Sequence, residues 1–131
     1  MSTQTSLVTG VDFVSVPTRD LDAAMEFYGD VLGLQRSKTW GSDDPLGAEF
    51  ETGTVTIAVI LAERLGIEFQ SNKVPIAFRV DDVEAARAEL ESKGVSFMGD
   101  TIDSGVCHQA IFQDPDGNSL DLHHRYAPLK R

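Results

Sequence analysis

The chain has 131 residues, 41% of them hydrophobic and 24% charged, a composition that suits one compact domain and leaves no room for a second large one. Its formal net charge of −10 excludes nucleic-acid binding built on clustered Lys and Arg, and favours a neutral or cationic small molecule over an anionic one. A single cysteine, Cys107, excludes an intrachain disulfide and a Cys-rich zinc site.

The opening stretch MSTQTSLVTG has neither a basic n-region nor an apolar h-region. No later stretch approaches the roughly 20 apolar residues of a membrane span. The expected location is the cytoplasm, with no membrane partner. From Val11 the alternating run VDFVSVPT predicts a strand. Leu21, Ala24, Met25, Tyr28 and Leu32 then share one helical face, with Asp20 where an N-cap belongs and Gly33 where the helix should stop. LQRSKTW, AEFET and VTIAVIL, rich in β-branched and aromatic residues, predict three strands. Segment 62–73 is polar and reads as a connection.

The pattern then repeats. KVPIAFRV predicts a strand, and Val83, Ala86 and Leu90 mark a helix capped by Asp82 and ended by Gly94. VSFMG, CHQAIF and SLDLHH predict three more strands. Asp20 to Ala24 (DLDAA) matches Asp82 to Ala86 (DVEAA), so the chain holds two copies of one supersecondary unit. The fold class is α+β: two βαβββ modules, at about 9–61 and 74–126, joined by about 62–73 within a single domain. Between the last two strands, Asp114-Pro115-Asp116-Gly117-Asn118 is turn chemistry: Pro presets φ, Asp bonds nearby backbone amides, and Gly takes the left-handed position.

With RDLDAAMEFYGDVLGL, IAFRVDD and FQDPDGNSLDL in this order, the chain resembles the vicinal oxygen chelate superfamily, which includes glyoxalase I, bleomycin resistance proteins and extradiol dioxygenases. The resemblance covers residues 9–125. It implies curled mixed sheets around a cavity, helices outside, and a homodimer. It also implies that metal-using members take four His, Gln or Glu ligands from the first and last strand of each module, positions that fall here on Phe13, Ala58, Pro75 and Asp121. Phe, Ala and Pro carry no donor atom, and one carboxylate does not hold a transition metal tightly. Neither metal nor cofactor is expected.

Strand alternation points Asp121 and His123 to one side and His124 to the other, with Leu120 and Leu122 facing the helices. The expected ligand-binding set is Phe13, Ser15, Trp40, Phe50, Ala58, Arg79, His108, Asp121 and His123. Trp40 comes from the loop 39–47, and Phe50 has a competing core role. Whether Cys107, His108 or Gln109 faces the cavity depends on the register set by the Asp-Pro-Asp-Gly turn. Three readings of function stand at this point. One is a metal-free binder like the bleomycin resistance members, sequestering a small aromatic or cationic compound. Another is a metal-free isomerase or epimerase with Asp121 and His123 as its catalytic acid–base pair. The last is a metal-dependent lyase or dioxygenase with displaced ligands, for which His108, Asp121 and His123 are the available cluster.

Overall fold

A computed structural model describes residues 6–41 and 43–128. Half of the opening stretch, residues 1–5, and Ser42 of the 39–47 loop lie outside the described residues. The first unit contains β1 (Phe13–Thr18), α1 (Leu21–Glu26), β2 (Gln35–Trp40), β3 (Gly47–Glu51) and β4 (Thr56–Leu61). The second contains β5 (Ile76–Arg79), α2 (Val83–Ser92), β6 (Ile102–Asp103), β7 (Cys107–Gln113) and β8 (Ser119–Arg125). Each unit forms a four-stranded mixed sheet in the same order, β1-β4-β3-β2 and β5-β8-β7-β6, with the first pair parallel and the others antiparallel.

Both helices start as their sequences predict. Asp20 accepts a hydrogen bond of 3.1 Å from the Ala23 amide, and Asp82 one of 3.1 Å from the Ala85 amide. Gly33 and Gly94 end the helices in the left-handed region, at φ +76° and +92°. Two departures have local causes. After Glu26 the first helix widens into a π-helical turn over Phe27–Val31, which buries the consecutive residues Phe27 and Tyr28 where regular periodicity turns only Tyr28 inward. VSFMG does not form a strand: Phe97 makes one bridge to Phe112, Arg87 stacks its guanidinium 4.9 Å from the Phe97 ring, and the second strand of the unit is the two-residue β6.

The helices share one core. Val16, Tyr28, Phe50 and Ile57 of the first unit join Phe112, Leu120 and Leu122 of the second in one buried cluster. The turn after β7 ties the units together. Asp114 uses one carboxylate oxygen for the amides of Asp116 and Asn118, both at 2.9 Å, and the other for the Tyr28 hydroxyl at 2.7 Å and the Asn118 side-chain amide at 2.8 Å. Buried Asn118 also donates to the Pro17 carbonyl and accepts from the Asn72 amide, both at 2.9 Å, while the Thr18 hydroxyl donates to Asp116 at 2.6 Å. Burial, reinforced by the Asp114 and Asp116 carboxylates, pushes the Tyr28 phenol well above its usual range.

Candidate functional site

With Val14, Val16 and Thr18 of β1 turned to the core, the opposite face of the first sheet carries Phe13, Ser15 and Pro17. Ser15 pairs with Ala58 and Ala58 with Glu49, so these three form one row across β1, β4 and β3. Phe13, Thr56 and Glu51 form the next row, and the Phe13 side chain stands 60% exposed. Trp40 pairs with Gly47, and its indole occupies the space a side chain there would need: a Cβ on Gly47 would lie 2.5 Å from the ring. Thr56 and Ser37 donate to the Glu51 carboxylate, at 2.7 Å and 2.5 Å, and hold its pKa below the usual carboxylate value, Ser37 contributing most.

Phe50 belongs elsewhere, which corrects its place in the expected ligand set. It pairs with Ile57 on the helix side, is 1% exposed and packs 6.0 Å from the Tyr28 ring, because Ala48 and Phe50 are the inward phase of β3. That phase turns Glu49 onto the open face instead. The alternation in GAEFE carried this signal once Phe50 was taken as core.

On the open face of the second sheet, Ala77, Asp121 and Ile111 form one row, and Arg79, His123 and Gln109 the next. Asp121 is 3% exposed, and its carboxylate accepts a 3.2 Å hydrogen bond from the Ala110 amide. Burial raises its pKa, opposed by that hydrogen bond and by the nearby His123 imidazole. Leu120 and Leu122 face the core, as the alternation predicts.

His108 is one residue out of phase with this row. It pairs with His124 on the other side of the sheet, where its Nε2 lies 3.6 Å from Asp103 and its ring 4.9 Å from that of Tyr126. The register therefore sends Gln109, not His108, to the side of Asp121 and His123, and the three-residue cluster of His108, Asp121 and His123 is not assembled. Among the described residues no group of three or more His, Cys, Asp or Glu side chains is placed to hold a metal ion. The hydrogen bond from the Gly105 amide, then that from Tyr126, lowers the Asp103 pKa.

Register also aligns the two units. Ser15 crosses Ala58 in the first sheet as Ala77 crosses Asp121 in the second, so Ala58 stands where Asp121 does. Of the four positions the resemblance marks for metal ligation, Phe13, Ala58 and Pro75 offer no donor and Asp121 offers one carboxylate. This donor set does not fit a divalent transition metal.

The two open faces carry separate sets, Phe13, Ser15, Ala58 and Trp40 on one, and Arg79, Asp121 and His123 on the other. Among the described residues no hydrogen bond or ion pair joins a member of one set to a member of the other. A partly open cleft of about 470 Å³ lies on the helix side, bounded by Val14, Ile57, Phe78 and Leu122. Arg79 borders this space, whereas Phe13, Ser15, Ala58, Asp121 and His123 do not.

Residues 10–122 match the sequence profile of the Glyoxalase/Bleomycin resistance protein/Dioxygenase superfamily. The chain is 28% identical, over 82% of its length, to a lactoylglutathione lyase of Schizosaccharomyces pombe, and it spans 44% of that protein. It is 30% identical to an uncharacterized protein of Mycolicibacterium smegmatis, the match covering 92% of this chain and 96% of that one. Its fold is shared with TnmS3, an antibiotic binding protein from a Streptomyces species, at a TM-score of 0.77 and 23% identity, covering 92% of this chain and 99% of that one. A lactoylglutathione lyase from Agrobacterium tumefaciens also shares it, at a TM-score of 0.75 and 18% identity over 88% of this chain and 93% of that one.

Proposed function

The chain belongs to the Glyoxalase/Bleomycin resistance protein/Dioxygenase superfamily, and from that premise we propose that it is a metal-independent binding protein that sequesters a small aromatic or cationic compound on its open sheet faces. One observation carries this reading: three of the four positions that ligate metal in the superfamily's metal-using members are Phe13, Ala58 and Pro75, while the fourth, Asp121, is a buried carboxylate with no co-ligand. Exposed Phe13 and the Trp40 indole supply stacking surfaces, and Glu49, Glu51 and Asp121 supply negative charge. The antibiotic-binding relative shares the fold and lends the reading a precedent. The protein acts as a homodimer in the cytoplasm, a second copy bringing the two open faces opposite each other.

A second reading rests on Asp121. A carboxyl kept buried, with a raised pKa and an imidazole beside it, has the properties of an acid–base pair for an isomerase or epimerase. The two are separated by thermal-shift screening of cationic aromatics and small metabolites, with mass spectrometry of each hit. A compound recovered unchanged supports sequestration. Product that disappears in Asp121→Asn and His123→Ala supports catalysis, and a stoichiometric transition metal required for either would return the glyoxalase-like lyase.

A further inference from the structure

We propose that the partly open cleft between the two units is a second binding site, for a neutral apolar small molecule, distinct from the open sheet faces. Its walls come from edge strand β1 (Val14), β4 (Ile57), the end of the first helix (Val31, Leu32), and from β5 and α2 of the second unit (Phe78, Leu90). Every one of these side chains belongs to or packs against the buried core. The space is therefore bounded mainly by the helix-facing sides of both sheets, with Ala77 and Arg79 of edge strand β5 at its border, and lies on the opposite side of β1 from Phe13 and Ser15 and of β8 from Asp121 and His123.

Size and lining select the occupant. A volume of about 470 Å³ falls within the range of small-molecule pockets. At roughly 30 Å³ for a water-sized group it holds about fifteen non-hydrogen atoms. An α-helix about 10 Å across fills about 420 Å³ per turn, so a peptide helix would enter by a single turn only. The walls are branched aliphatic groups and one aromatic ring. Polar groups are confined to Thr52 and Thr54 of the β3–β4 turn and to Arg79 and Glu89, whose charges are opposite. An ion passing the exposed Arg79 or Glu89 would still lose its hydration against the aliphatic walls, whereas a neutral hydrocarbon-like molecule with at most a hydroxyl at the threonine end gains apolar contact over most of its surface.

N-phenyl-1-naphthylamine, a neutral fluorescent probe of this size, tests the assignment. The wild-type protein should enhance its fluorescence saturably at one probe per chain. Ala86→Phe fills the space from a half-buried wall position on α2 and should weaken binding at least tenfold with an unchanged or higher melting temperature. Met98→Ala, exposed and outside both sites, should bind the probe as the wild type does. If Ala86→Phe does not fold, Leu32→Glu, also at a half-buried wall position, carries the same expectation by placing a charge in the space. Absence of saturable binding, or binding untouched by both wall substitutions, would overturn the proposal.

Discussion

Asp121 combines features that rarely persist together without use: it is buried, its charged form is disfavoured, and its carboxylate accepts a hydrogen bond from the Ala110 amide. A carboxyl whose folded pKa lies above the unfolded value binds its proton more tightly in the fold. Its ionised form then costs stability above the folded pKa, and that cost disappears as the pH falls through it. Asp121→Asn keeps an acceptor for the Ala110 amide and removes the charge. Its stability at pH 7 should equal or exceed that of the wild type, the gain fading as the pH falls through the raised pKa of the folded Asp121. Urea unfolding at several pH values measures this, and a variant clearly less stable at pH 7 would show the ionised carboxylate to be a structural asset. Tyr28 shifts in the same direction, with its consequence at alkaline pH. Its raised phenol pKa contributes stability that is fully present below the unfolded value of 10.0 and is lost as the pH rises beyond it. Tyr28→Phe should cost about 1–2 kcal/mol at pH 7 and flatten the alkaline loss.

The elements show where sequence reading succeeds and where it stops. Helix starts were legible because an N-cap is a local device, Asp20 and Asp82 each binding an amide three residues on. Asp20→Ala and Asp82→Ala should each cost about 1 kcal/mol in denaturant unfolding. Strand faces were legible wherever apolar alternation is clean, as in β8. The π-helical turn was not, because what accompanies it is tertiary: Phe27, the residue added to the buried face, packs 6.4 Å from the Phe112 ring of the second unit. The fate of VSFMG was likewise decided by a partner, Phe112, that meets only Phe97. His108 and Gln109 exchanged roles because the hairpin register, invisible in composition, pairs Gln109 with His123. The turn residues themselves were read correctly as turn chemistry, yet their larger task lies between the units. Asn118→Ala removes bonds to Asn72, Pro17 and Asp114 at once and should cost about 3 kcal/mol, well beyond an ordinary turn substitution. A cost near that of a surface change would contradict the staple described for this hairpin.

At the scale of the molecule, two units with one strand order share a core on their helix sides and leave their other faces open. Superfamily membership was legible in three ordered motifs, because helix caps, strand alternation and hairpin turns are all written locally. The site was legible only in part: Asp121, His123 and Arg79 do share a face, and Phe13, Ser15, Ala58 and Trp40 share another, but Phe50 and His108 do not belong with them. A homodimer should sediment at twice 14.3 kDa, with Phe13→Asp shifting it towards the monomer, whereas a single 14.3 kDa species would remove the partner from the site. The claim that organises the rest is that binding here needs no metal, and elemental analysis of the purified protein tests it most directly. Transition-metal content far below one atom per chain, with ligand-induced thermal shifts unchanged after chelation, is the expected result. Nearly one atom per chain, whose removal abolishes those shifts, would contradict it.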